Sequence, residues 1–207
     1  LKQGVDKAVG TLKMDRGFLN KDSLIISLPE DIKNLLDNVS KIPQGNKLID
    51  NAMMQLNKVA ETSAEPIGAM LNEAIDSMSV EEAGNLLLSD SAAATHYLQK
   101  IVRTPIHTAC EPIILQTLDK KIVGNITPRD TWIAIAENYN KVADTKVGKI
   151  TNLQTVETEL DDIITEKILD AVFYLIAKEE MNVRKHPAAR ISKSVAKSFG
   201  WIDQKKK

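Results

Sequence analysis

The stretch from residue 160 to residue 190 reads LDDIITEKILDAVFYLIAKEEMNVRKHPAAR, and it decides the fold. Apolar residues in its first half recur at intervals of three and four, which is the spacing of one face of an α-helix. They are Leu160, Ile163, Ile164, Ile168, Ala171, Val172, Leu175 and Ile176. Because Pro187 cannot continue a helix, we expect one long helix near residues 160–185.

The same spacing continues outward on the N-terminal side, where prolines and glycines lie between apolar runs. It predicts a helix that begins near Pro29 and a helix from Lys47 that ends near Pro66. A separate helix from Ile67 would then pack antiparallel to the one before it. Farther along, Pro105 predicts another break, with one helix before it and another from Ile106 to Val123.

Toward the C-terminus, Thr127, Pro128 and Asp130 are typical of a helix N-terminus, and Ile191 to Gly200 predicts a short final helix. The sequence therefore predicts an all-α fold, a single-domain bundle of about eight to ten helices. Residues 1–204 would form that domain, and residues 205–207 a basic tail.

Charge and composition argue against several classes of function. The chain has 27 basic and 28 acidic residues and a net charge of -1, so it lacks the positive field that holds nucleic acid. Aromatic residues are only 4% of the chain, which leaves few platforms for stacking bases or sugars. No run of 18 apolar residues occurs, so we expect no membrane span. Nucleotide and nucleophile motifs are absent, and we expect no cofactor.

One group has the spacing of metal ligands. His107, Cys110 and Glu111 occupy positions i, i+3 and i+4 of a predicted helix. Structural zinc sites use paired Cys or His motifs, and here no second cluster exists and Pro112 would disturb the geometry. We therefore expect no metal, and interpret Cys110 as a buried, inert thiol.

The charged end of the long helix holds the main candidate site. Glu180 precedes Arg184 by four residues, the favoured order for a helical ion pair, and Arg190 follows. Asn57 and Glu61 are also four apart, beside an apolar stripe, and a buried carboxylate needs a partner such as Arg184 or Arg190. We expect the charged end to turn inward against the helix from Lys47 to Ala64.

The order of segments resembles a bacterial family, the domain of unknown function four-one-nine-seven. The resemblance covers essentially the whole chain, and Asn138 to Leu153 is similar to its Bacteroidetes-type form. The residues that carry it are Asp15, Gly17, Phe18, Leu19, Leu28, Pro29, Asn57, Ala60, Glu61, Ala74, Ile75, Met78, Ala93, Ala94, Thr95, Tyr97, Leu160, Asp161, Thr165, Lys167, Leu169, Asp170, Glu179, Glu180, Arg184, Pro187, Ala188, Ala189, Arg190, Phe199 and Gly200.

The resemblance implies an all-helical, exported protein whose precursor carries an N-terminal export or lipoprotein signal. We therefore expect a periplasmic or outer-membrane-anchored lipoprotein location. The resemblance assigns no activity. With the matching positions added, the candidate ligand-binding or polar-network residues are Asn57, Glu61, Thr95, Tyr97, Asp170, Glu179, Glu180, Arg184 and Arg190.

Three functions remain open. The first is a non-enzymatic cell-envelope protein that binds an apolar small ligand or an envelope protein between its helices. The alternative is a carboxylate-dependent hydrolase or lyase of the envelope, with Glu61 or Glu180 as the base. In the third, the polar residues only fix how the helices align. No residue is assigned as catalytic.

Overall fold

The structure, a computed structural model, describes residues 1–18, 37, 40, 45–89, 91–122, 125–156 and 159–205. Within these residues the chain forms eight α-helices, one short 3-10 helix and no strand, which confirms the predicted all-α class. The α-helices are α1 (Lys2–Leu12), α2 (Gly45–Asp76), α3 (Val80–Leu88), α4 (Ala93–Leu118), α5 (Pro128–Ala143), α6 (Lys146–Ile150), α7 (Asp161–Lys185) and α8 (Lys193–Lys205). The 3-10 helix spans Pro187–Ala189 and joins α7 to α8.

The long helix α7 is the centre of the bundle. It packs against α1 on one side and α4 on the other, and it also contacts α2. Ile164, Ile168, Val172 and Ile176 on its inner face are completely buried. Acidic residues occupy its first turn and basic residues its last, which suits the helix dipole. The predicted helix near residues 160–185 is confirmed.

The predictions of helix breaks at Pro66 and Pro105 are wrong, since α2 and α4 each run through their prolines. A proline inside a helix frees the carbonyl of the residue four positions earlier. Here those residues are Thr62 for Pro66 and Ile101 for Pro105, and both are exposed, so water can satisfy the freed carbonyl. Residues 47–64 and 67–76 are thus parts of one helix and not antiparallel neighbours.

Burial on both sides of each proline explains why the helices continue. In α2, Ala64 and Ile67 flank Pro66 and are at most 1% exposed. In α4, Val102 and Ile106 flank Pro105 and are also buried. A break would withdraw one of these apolar faces from the core, at a cost of about 1.5–3 kcal/mol for each large side chain.

Other predicted boundaries have mixed outcomes. The start of α5 is confirmed, because Thr127 Oγ1 accepts a hydrogen bond from the backbone nitrogen of Asp130 at 3.0 Å. The helix predicted from Pro29 and most of the basic tail lie outside the described residues. The end predicted at Val123 is wrong, because α4 ends at Leu118 and residues 119–122 are not helical. Among the helices that are described, none has the length and hydropathy needed to cross a bilayer.

Cys110 lies in the core between α4 and α2. The residue is 1% exposed, and its sulfur lies 3.8 Å from the sulfur of Met70. Burial disfavours the charged thiolate and raises the pKa of Cys110 to about 11. The residue is therefore protonated and shielded at neutral pH.

We expect Cys110 to react slowly with iodoacetamide in the native protein between about pH 8 and pH 9. Burial blocks access of the reagent, and the raised pKa keeps the thiol protonated. Mass spectrometry of the alkylated protein measures this. The same protein in denaturant is the control and should be alkylated fully. Equal rates in the two states would show that the thiol is accessible.

Candidate functional site

Glu180 of α7 caps the start of α4. Its carboxylate accepts hydrogen bonds from the backbone nitrogens of Ala94 at 3.1 Å and Thr95 at 2.7 Å, and from Thr95 Oγ1 at 2.6 Å. The residue at the N-cap position of α4, Ala92, has no side chain that can do this. Since the first N–H groups of a helix lack partners within it, α7 supplies both the acceptor and a negative charge at the positive end of the dipole.

Arg184, one turn along α7, caps the end of α3. Its Nε and Nη2 donate to Glu180 Oε1 at 2.9 and 2.7 Å, so the predicted helical ion pair is formed. Its guanidinium also donates to the backbone oxygens of Leu86 at 2.8 Å, Leu87 at 3.2 Å and Ser89 at 2.6 Å. Both side chains of the pair are at most 12% exposed. Together they hold the corner between α3 and α4 against α7.

Arg190 fastens α8 to the end of α7. It donates to the backbone oxygens of Val183 at 3.0 Å and Arg184 at 3.3 Å, and to Asp203 Oδ2 at 2.6 Å. The ring of Phe199 on α8 lies 5.2 Å from the guanidinium carbon of Arg190 and 5.6 Å from that of Arg184. Two cation–π contacts and one ion pair therefore place α8.

Glu179 joins α7 to α1. It accepts hydrogen bonds from Gln3 Nε2 at 2.8 Å, Lys7 Nζ at 2.5 Å and Asn182 Nδ2 at 3.2 Å, and it is 6% exposed. Burial alone would raise the pKa of Glu179, but the hydrogen bonds from Lys7, Gln3 and Asn182 outweigh it, and the pKa is lowered. Gln3 also donates to the backbone oxygen of Ala189 at 2.7 Å.

The structure does not bring Asn57 and Glu61 to this network. Glu61 accepts from Lys58 Nζ at 2.8 Å, and Asn57 donates to the backbone oxygen of Met53 in its own helix. The prediction that arginine side chains of the charged end would pair with Glu61 is therefore wrong. Lys58, three residues earlier on α2, already neutralises that carboxylate.

The predicted inward turn of the charged end toward residues 47–64 is wrong as well. Its partners are the α3–α4 corner, α1 and α8. The backbone groups at the helix ends lack other partners, whereas the carboxylate of Glu61 already has Lys58. The charged end therefore binds the helix ends.

Two more candidates lie elsewhere. Asp170 accepts from Arg103 at 2.7 Å on the surface between α4 and α7, and Glu166 also accepts from that guanidinium. Tyr97 is half-buried on α4, two residues after Thr95. Sequence reasoning missed Gln3 and Lys7, which lie more than 170 residues from Glu179 in sequence. The one signal in the sequence is their spacing of four, which places both side chains on the same face of α1.

A cleft of about 330 Å³ adjoins the network, between α1, α3, α7 and α8. Its walls are mostly apolar, and the largest of their side chains are Leu1, Ile75, Met78, Leu86, Leu87, Ile176, Val183, Val195 and Phe199. Glu179, Glu180 and Arg184 also border it, with their hydrogen-bonding capacity used as described above. Ser194 and Ser198 of α8 add two hydroxyl groups.

The sequence profile of a family described as "Protein of unknown function (DUF4197)" matches residues 1–200. The chain belongs to this family. No curated protein and no solved structure matches the chain.

The DUF4197 match confirms the family resemblance stated from the sequence, without testing its Bacteroidetes-type form, and it extends over every residue of the network except Asp203. Because the family description assigns no activity, the roles of Glu179, Glu180, Arg184 and Arg190 rest on their geometry. That geometry is helix capping and helix docking.

We expect Arg184→Ala to lower the free energy of unfolding by about 3–5 kcal/mol, because it leaves Glu180 buried without its cation and the end of α3 uncapped. Urea denaturation followed by circular dichroism measures the loss. Arg129→Ala is the matched control, because Arg129 pairs with Asp119 at the surface at 2.5 Å and should lose at most about 1 kcal/mol. Similar losses in the two variants would contradict the capping role.

Glu179 should make stability depend on pH. Its pKa is lower in the folded chain than in the unfolded chain, so its contribution is complete above the ordinary value of about 4.3 and is lost as the pH falls through the lowered folded-state value. Glu179→Gln should therefore destabilise the protein most at neutral pH, with the difference from the native protein shrinking in acid.

Denaturant titrations across a pH series measure that difference. Glu65→Gln serves as the control, since Glu65 is 73% exposed and lies 3.6 Å from Lys13. A difference for Glu179→Gln that stays constant from neutral to strongly acidic pH would contradict the assignment.

Proposed function

We propose that this protein is a non-enzymatic binding protein of the cell envelope that holds an apolar small ligand in the cleft between α1, α3, α7 and α8. The observation that carries the proposal is the contrast within the cleft. Its walls are mostly hydrocarbon, while the charged groups at its edge are already paired, Glu180 and Arg184 with helix ends and Glu179 with side chains of α1. Its volume of about 330 Å³ lies at the lower end of the roughly 300–1,000 Å³ usual for small-molecule sites.

The chemistry of the walls indicates the kind of ligand. Ile75, Val183 and Val195 offer aliphatic surface, whose burial against a ligand contributes about 25 cal/mol per Å². The hydroxyl groups of Ser194 and Ser198 can hydrogen-bond to one polar end. A short hydrocarbon chain or ring with a single hydroxyl or carbonyl group matches this arrangement.

Small residues keep the space open. Ala83 of α3 and Ala94 of α4 lie in the wall, where larger apolar side chains would fill the cleft. The Glu180 and Arg184 bonds fix the two helices that carry these alanines. A site whose walls are held in place before binding costs less ordering when the ligand enters, which supports a binding role.

The enzyme alternative finds no matching geometry. Glu180 accepts five hydrogen bonds, which leaves its carboxylate no free position for a substrate proton. Glu61 lies fifteen residues before Asp76 on α2, or about 22 Å along the helix. Asp76 pairs with Lys2 at the cleft end of α1, so Glu61 is remote from Glu180. The two carboxylates do not share a site.

The envelope location is part of this proposal, and its support is the resemblance of the sequence to exported proteins. Fractionation of cells that express the full-length protein tests it, with marker proteins for cytoplasm, periplasm and outer membrane. We expect the protein in the periplasmic or outer-membrane fraction. Recovery with the cytoplasmic marker would contradict the proposal.

The cleft itself is tested with a neutral fluorescent probe, phenylnaphthylamine. The native protein should enhance its emission, and Ala83→Trp should weaken binding by at least about ten-fold because the indole occupies the cleft. Ala134→Trp, at an exposed position of α5, is the matched control and should bind like the native protein.

Circular dichroism confirms that both variants are folded. If the probe does not bind the native protein, or if the two variants bind it equally well, the cleft is not the ligand site.

A further inference from the structure

Three exposed aliphatic residues occur within nine positions at the junction of α5 and α6. Val142, at the end of α5, is 53% exposed, and Val147 and Ile150 on α6 are 68% and 81% exposed. Single exposed apolar residues are ordinary at protein surfaces. Val147 and Ile150 are three positions apart and so share one face of α6, and Val142 precedes them at the end of α5. Such a concentration of exposed apolar residues indicates a contact surface. We call residues 141–150 the tip.

Close packing and a helix cap hold the tip in this exposed form. Gly148 is the buried residue of α6, and a Cβ atom there would lie 2.3 Å from the backbone oxygen of Ala143. Only glycine lets α6 rest so closely on the end of α5, and the other residues of α6 then face outward. Thr145 caps α6 by accepting from the Gly148 nitrogen at 3.1 Å.

The chain that follows the tip is also anchored. Asn140 Nδ2 donates to the backbone oxygen of Val156 at 2.9 Å, and the backbone nitrogen of Val156 donates to Asn140 Oδ1 at 2.8 Å. The exposure of Val147 and Ile150 is therefore imposed by the fold and is not fraying of a loose end.

Lysines are interleaved with these aliphatic side chains. Lys141, Lys146 and Lys149 are exposed, and none of them forms an ion pair with any residue that the structure describes. Asp144 is the one acidic residue of the tip. The tip thus carries a local charge of +2, from three lysines and one aspartate, in a chain whose net charge is -1.

This combination distinguishes between two kinds of partner. Protein interfaces are depleted in lysine and enriched in aromatic residues, methionine and arginine, and the tip has none of those enriched residues. A bilayer surface can accept both the aliphatic side chains and the lysines of the tip. Aliphatic side chains enter the boundary of the acyl chains, and lysines reach back to anionic headgroups.

We propose that the tip docks reversibly on the surface of an anionic lipid bilayer. Val142, Val147 and Ile150 enter the interface, and Lys141, Lys146 and Lys149 contact the headgroups. The contact is small, so it positions the protein at the membrane without embedding it. The proposal goes beyond ligand binding in the cleft and is independent of it, because no residue of the tip lines the cleft.

Cosedimentation of the full chain with vesicles tests the proposal. We expect binding to vesicles of equal parts phosphatidylcholine and phosphatidylglycerol, much weaker binding to phosphatidylcholine alone, and a fall in binding as salt rises. Equal binding to both vesicle types, or no binding to the anionic vesicles at low salt, would overturn the proposal.

Two double variants locate the contact. Lys146→Gln with Lys149→Gln should weaken binding to anionic vesicles by about five-fold for each lysine removed. Val147→Ser with Ile150→Ser should weaken it at least about ten-fold while leaving circular dichroism unchanged, because both side chains are exposed.

Matched controls lie at the start of α8. Ile191→Ser removes an aliphatic side chain that is 80% exposed, and Lys193→Gln with Lys197→Gln removes two exposed lysines. These variants should bind vesicles like the native protein. If they lose as much binding as the tip variants, or if the tip variants bind normally, the tip is not the contact.

Light scattering separates a lipid contact from a protein contact. The native protein should have the same mass as Val147→Ser with Ile150→Ser when no vesicles are present. A native oligomer that dissociates in this variant would assign the tip to contact between copies of the chain and overturn the proposal.

Discussion

The buried pair of Glu180 and Arg184 is the interaction on which the arrangement of the helices at this end of the bundle depends. Two helices meet at the corner between α3 and α4, and the backbone groups of both ends need partners. The local sequence supplies none at the start of α4. A carboxylate and a guanidinium one turn apart on α7 satisfy the N–H groups of one helix and the carbonyls of the other. A buried ion pair often costs as much in desolvation as it gains, but here the remaining donors and acceptors are also used.

The rest of this end is built outward from the pair. Arg190 satisfies the carbonyls at the end of α7 and pairs with Asp203 of α8, and Phe199 lies against both guanidinium groups. On the other side, Glu179 draws the start of α1 onto α7. Charged side chains within twelve residues of one another on α7 and just after it thus locate α1, α3, α4 and α8. The cleft lies between α7 and three of these helices, α1, α3 and α8.

Local features could be predicted from the sequence, whereas partners distant in the chain could not. Helical periodicity predicts the apolar stripe of α7 and the ion pair at spacing four. The residue types at Thr127 and Pro128 predict the cap of α5. The breaks expected at Pro66 and Pro105 failed because burial on both sides outweighed a local preference. The partners of Glu180 and Arg184 are largely backbone atoms 85 to 98 residues away, and backbone atoms have no signature in sequence. The partner expected for Glu61 was wrong because Lys58 was closer.

The capping contacts and the cleft proposed to bind a ligand belong to one arrangement. A packed protein interior normally fills its voids, since an unfilled apolar cavity costs stability. This chain places Ala83 and Ala94 in the wall of a cleft whose other walls are mostly apolar, and an extensively hydrogen-bonded ion pair fixes the helices bearing those alanines to α7. A preformed apolar space suits the small hydrophobic ligand proposed above, and the bonds that occupy the nearby charges also fix the helices around that space.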